Sequence, residues 1–133
     1  MIVDAFPFDN EFDCLEIRLR ELQGLVHRVV IVQGNLTHQG EPRTIVPELL
    51  LKAYLPDGVE LRSVVADLTE LAPESNLDPS NTRAIMQRNA ILQGLDGVNA
   101  DMDLILITDV DEIPRRRSFE DATQWLYHKA SVV

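Results

Sequence analysis

Asp109, Asp111 and Glu112 stand together in LILITDVDEIP, residues 104–114, where a run of apolar and β-branched residues ends in three acids and a proline. In an extended segment side chains two apart point to the same side, so the carboxylates of Asp109 and Asp111 can converge on one hard cation. Mg or Mn prefers oxygen donors and keeps positions open for water or phosphate oxygens. A site of two or three carboxylates therefore implies a divalent metal carrying a diphosphate. The competing reading is that these acids end a strand and cap the next helix. The pattern alone does not choose, because twelve aspartates among 133 residues make one Asp-x-Asp expected by chance and the chain has two.

Position separates the two pairs. Asp101 and Asp103 precede the apolar run, whereas Asp109 and Asp111 follow it, and α/β folds bind ligands beyond the carboxyl ends of their strands. Three acids beside a dry strand also need a counter-charge, since an unanswered like-charge cluster raises carboxylate pKa values and destabilises the fold. A metal or an arginine must supply it, and Arg83, Arg88, Arg115, Arg116 and Arg117 are the candidates.

The elements that must position these acids can be followed along the chain. MIVDAF reads as a first strand ending at the turn-prone PFDN, and Phe12, Leu15, Leu19 and Leu22 recur at helical spacing between Glu11 and Leu22, with Gly24 as a stop. HRVVIVQG, residues 27–34, has the continuous β-branched run of a strand buried on both faces. A short helix is expected between Pro47 and Tyr54 and a third strand from Val59 through VELRSVVADL. LAPESNLDPSN, residues 71–81, is a loop from which Ser80 or Asn81 caps a helix through Arg83 to about Leu95, with Ile85, Asn89 and Leu92 along one face. MDLILIT is the fourth strand. A last helix is expected from Ser118 with Glu120 and Asp121 in its first turn and Trp125 and Leu126 available for packing. The alternation predicts one domain over residues 1–133: a doubly wound, Rossmann-like α/β sheet, mostly parallel with helices on both faces and no internal repeat. Ligands then belong at the ends of strands one, two and four: AFPFDNEFD, QGNLTHQG and TDVDEIP.

Composition narrows the partners. A formal charge of -10 removes the electrostatic term on which phosphate-backbone binding depends, so no nucleic acid is expected. A small phosphorylated ligand stays admissible if carboxylates hold a metal that reverses the local field. Cys14 is alone, and His27, His38 and His128 are too scattered for a zinc cluster. No run approaches the ~20 apolar residues of a membrane span, and an acidic start without a long apolar stretch is no signal peptide, so a cytoplasmic chain is expected. Asn35 and Thr37 form an N-x-T sequon that such a chain would not have glycosylated, which leaves a side-chain-bonded turn as the better reading.

Four segments together resemble glycosyltransferase family 17: DAFPFDNEFDCLEIRLREL at 4–22, HRVVIVQGNLTHQGEP at 27–42, MQRNAILQGL at 86–95 and DLILITDVDEIPR at 103–115. They occur in the right order across most of the chain. The resemblance implies a GT-A type sheet and a transferase that takes a nucleotide sugar, such as UDP-GlcNAc, and passes the sugar to a glycan or other hydroxyl acceptor with inversion. By that resemblance Asp111 and Asp109 hold the metal, Mn or Mg, with Asp109 also near the ribose or a metal-bound water. Asp4, Asn10, Glu11 and Asp13 line the nucleotide pocket, Arg88 meets phosphate charge, and Glu112 lies toward the sugar or acceptor. The residue-by-residue alternative makes Asp13 and Glu16 solvated helix positions and Arg18 with Glu21 an exposed ion pair.

Gln33 and His38 stand where the family usually has Glu and an aromatic residue, which bears on donor or acceptor preference. Family members also continue well beyond the acidic motif, whereas 22 residues follow Asp111 here. The expectation is a version truncated relative to the family, without the acceptor half and without an assigned base. Glu112 is the candidate base, though its nearness to the metal pair commits it to the diphosphate side. A second reading is a non-catalytic nucleotide-sugar-binding or interaction domain completed by a partner or by a homo-oligomer. A third, a haloacid-dehalogenase-type phosphotransferase, needs an early nucleophile strand and downstream acids and lysine, and only Lys129 follows the motif.

Overall fold

The computed structural model describes residues 1–71 and 78–131, with side chains through residue 125. Four strands, β1 (Ile2–Pro7), β2 (Arg28–Gly34), β3 (Glu60–Ala66) and β4 (Leu104–Ile107), form one sheet in the order β3-β2-β1-β4, every pair parallel. This is the expected Rossmann-like α/β arrangement. Strand order reverses between β1 and β4, so a crevice opens at their carboxyl ends.

Alternation along the central strands sorts side chains onto two faces. Val3, Ala5, Val30, Val32, Val64 and Ala66 pack on one face with Ala90 and Ile91. Phe6, Val29 and Ile31 pack on the other with Leu15 and Leu19 of α1 (Phe12–Glu21), Leu51 of α2 (Glu48–Lys52) and Val110. Every residue of β2 is buried, as its unbroken β-branched run predicts. No helix of the described residues is long and apolar enough to cross a membrane.

Several elements depart from expectation for local reasons. α3 (Pro79–Asn89) is capped by Asp78, not by Ser80 or Asn81: the Asp78 carboxylate accepts from the Asn81 N–H at 2.9 Å, and Pro79 takes the first helical position, where its missing N–H costs nothing. Residues 72–77 of the expected loop lie outside the described residues. The buried face of α3 holds Thr82 and Gln87, while Ile85 and Leu92 are 46 % and 72 % exposed. Gln87 is drawn inward because its amide donates to the Val32 carbonyl at 2.9 Å.

The helix then tightens into a 3-10 turn, Ala90–Gly94, that brings Gly94 against β2. A Cβ on Gly94 would stand 2.4 Å from Val30 Cγ1, so only glycine allows this approach. β4 is shorter than expected, and α4 (Arg116–Ser131) starts two residues before Ser118, with no acid in its first turn. Phe119 anchors it in the core, whereas Trp125 is exposed; the Leu126 side chain lies outside the described residues.

Candidate functional site

The crevice is a cavity of about 610 Å³. Pro7, Phe8, Asp9 and Glu11 reach it from the end of β1, His38 from the loop after β2, Asp109, Val110 and Asp111 from the end of β4, and Ala84, Ile85, Gln87 and Arg88 from α3. The three strand ends singled out from the sequence thus meet in one place. Ile85 is exposed because it forms a wall of this cavity.

The acids do not lie in an extended segment. β4 ends at Ile107, and the Glu112 N–H donates to the Asp109 carbonyl at 3.0 Å, closing a turn over residues 109–112. Val110 points into the core, and the turn brings Glu112 round to join Asp109 and Asp111, so that one oxygen from each lies within 4.8 Å of the others. Convergence is as expected, but its cause is the turn and not strand alternation.

Their electrostatics show an incompletely answered charge. The Glu112 carboxyl is pushed above the ordinary range, first by its hydrogen bond with Asp109, then by the negative charge of Asp109 and Asp111, with Arg88 pulling the other way. Of the five arginines proposed as counter-charges, Arg88 pairs with Asp109, both half exposed. Arg83 instead donates to the His38 carbonyl at 2.9 Å, and Arg116 to Glu120 at 3.0 Å. An all-oxygen set of three converging carboxyl groups has the donor chemistry that suits Mg or Mn.

Glu11 lines the cavity, and burial pushes its carboxyl up. Asn10 and Asp13 do not line it: Asn10 is exposed in the left-handed region at φ 62°, which asparagine tolerates, and Asp13 is exposed on α1. Asp4 lies elsewhere altogether. It is 1 % exposed in the middle of β1, on the face covered by α1, and both its oxygens accept from Arg18, at 2.6 and 2.8 Å. Burial pushes the Asp4 carboxyl up while the guanidinium pulls it down. Arg18 is accordingly a fully buried core residue and not half of an exposed pair with Glu21; the exposed pair on α1 is Arg20 with Glu16.

Sequence reasoning missed two polar features near the cavity. His38 Nε2 lies 2.9 Å from Gln87 Oε1; the Gln87 amide nitrogen is committed to Val32, so the imidazole donates at Nε2. Asp9 pairs with Arg43 at 2.6 Å. The Asn35 side chain accepts from the Leu68 N–H at 2.8 Å and donates to Asp67 at 3.0 Å, and Thr37 Oγ1 accepts from the Glu41 N–H at 3.1 Å, the side-chain-bonded turn expected at the sequon.

A protein-family model described as Glycosyltransferase family 17 matches residues 1–125. Among curated proteins the chain is 26 % identical over 119 residues to a "Beta-1,4-mannosyl-glycoprotein 4-beta-N-acetylglucosaminyltransferase" from Rattus norvegicus, and equally to those so named from Homo sapiens and Mus musculus. The match covers 86 % of this chain and 22 % of each relative, so the chain spans about a fifth of their length. No solved structure matches.

Proposed function

Since this chain belongs to glycosyltransferase family 17, we propose that its cavity receives the nucleotide diphosphate of a sugar donor, a UDP-sugar such as UDP-GlcNAc, for transfer to a hydroxyl acceptor with inversion. The observation that supports this most is the convergence of Asp109, Asp111 and Glu112 within 4.8 Å, with Asp109 and Asp111 lining the cavity alongside Arg88. Asp109 and Asp111, with Glu112 beside them, would hold Mn or Mg. A metal held there would supply positive charge to offset that developing on the leaving diphosphate. Arg88 can exchange Asp109 for a phosphate oxygen, and Phe8 and Ile85 offer apolar surface to the base or ribose.

Calorimetry of UDP-GlcNAc binding with and without Mn tests the reading. Metal-dependent binding that Asp111→Ala abolishes is the expected result; binding indifferent to both metal and Asp111 would exclude it.

A second reading, a nucleotide-sugar-binding domain that turns over only when completed by a partner or a second copy, draws on the open edge of the sheet. β4 has no strand beyond it among the described residues, and Ile107 there is 47 % exposed. Steady donor hydrolysis or transfer by a protein shown to be monomeric by sedimentation would rule this out.

A further inference from the structure

Arg18 has five guanidinium N–H groups, and Asp4 engages two of them. The others serve one short segment beyond β4. Nη2 donates to Thr108 Oγ1 at 2.6 Å, and Nη1 donates to the carbonyls of Asp109 at 2.9 Å and Glu112 at 3.2 Å, with the Val110 carbonyl at 3.5 Å. Thr108 Oγ1 in turn donates to the Glu112 carbonyl at 3.2 Å. The guanidinium lies 4.7 Å over the Phe6 ring, packed on one side and held at its edge by the carboxylate.

We propose that Arg18 is the positioning residue of the acidic turn: fixed by Asp4, it gathers the carbonyls of Asp109, Val110 and Glu112 on the inner side and thereby sets the convergence of Asp109, Asp111 and Glu112 on the outer side. The proposal deepens the metal-diphosphate reading and rests on it. A core arginine that served only burial would be satisfied by its carboxylate and scattered carbonyls. Here three carbonyls of one turn, those of Asp109, Val110 and Glu112, curl round a single cation, and the turn they close carries the three acids. Lysine cannot substitute, because a compact ammonium lacks the planar fork that reaches Asp4 and the turn at once.

Three variants separate positioning from folding. Arg18→Lys keeps the charge opposite Asp4 but loses the fork. The paired Asp4→Leu/Arg18→Met change removes both charges together and leaves none buried alone. Thr108→Val cuts one strut from the turn side with the core pair intact. Two quantities are read on each: Mn affinity by electron paramagnetic resonance, and exchange of the Glu112 amide, with Val29 and Ile31 amides of β2 as the folding control.

Mn affinity is expected to fall about 10- to 100-fold in the first two variants and a few-fold in Thr108→Val, the range found when partners of metal ligands are lost. Glu112 exchange should quicken while β2 stays protected. Wild-type Mn affinity and wild-type Glu112 protection in folded variants would overturn the proposal, and Thr108→Val decides if the other two do not fold. Should the wild type itself fail to bind Mn, the metal reading falls; unchanged Glu112 exchange in the variants would then overturn the positioning role separately, and faster exchange would uphold it.

Discussion

At the amino end of β4 the Asp103 carboxylate accepts from the Met1 ammonium at 2.6 Å and from the Asn99 N–H at 2.7 Å, and the ammonium above all holds it below the ordinary carboxylate range. At the carboxyl end of the same strand stands an identically spaced pair of which Asp109 is bonded to Arg88, and Glu112 is pushed the opposite way by its neighbours. Asp4, within β1, is also supplied with donors, both its oxygens accepting from Arg18, although burial pushes its carboxyl up. An acid already supplied with donors has little left to offer a ligand. Acids left short of donors beside a cavity are where an incoming cation gains most.

The largest effect should come from removing the answer to the deepest acid. Arg18→Met strands Asp4 without a partner and is expected to cost about 3–5 kcal/mol in urea or thermal unfolding, whereas removing both charges together should cost far less. Equal losses in the single and paired variants would erase the distinction between answered and unanswered charge. Next, Asp111→Ala should lower donor turnover by about 10²–10³-fold, while Asp103→Ala at the other end of β4 changes it less than about twofold. Comparable losses from both would mean that position on the strand does not matter.

The two ends should also bend stability with pH in opposite senses. Asp103 has a folded pKa below its ordinary 3.8, so its contribution is full above that value and is lost as pH falls through the folded pKa. Glu112 has a folded pKa above its ordinary 4.5; it binds its proton more tightly in the folded protein, so stability falls as pH rises from 4.5 through the folded value. In metal-free protein Asp103→Asn should therefore soften the acid limb and Glu112→Gln flatten the decline above it, read from urea midpoints over about pH 3 to pH 7. The smallest effect is Asp101→Ala, an exposed position expected to shift stability by less than about 0.5 kcal/mol.

Periodicity made the sheet legible: β1, α1 and β2 fall where the apolar spacing puts them, because those residues are buried by near neighbours. The face of α3 was not legible, since Gln87 is held inside by a carbonyl on β2 and Ile85 is turned toward the cavity. The acid trio was visible as residues, but the turn that assembles it depends on an arginine 91 positions earlier. A signal for that arginine existed. Arg18 shares the helical stripe of Leu15, Leu19 and Leu22, and Asp4 interrupts an otherwise apolar strand; two charges on surfaces destined for burial have reason to be partners.

The parallel topology also sets loop-closure spans of very different length. The Ile2 N–H meets His27 Nδ1 across 25 residues and Arg18 meets Asp4 across 14, whereas β4 must be brought to β1 across a span of the length that separates Met1 from Asp103, 102 residues. Loop-closure entropy grows with that span, so β1, α1 and β2 can gather first with the guanidinium already paired to Asp4. In that order the acidic turn would meet a fork already in place, and the candidate site would form only once both ends of the described chain are joined.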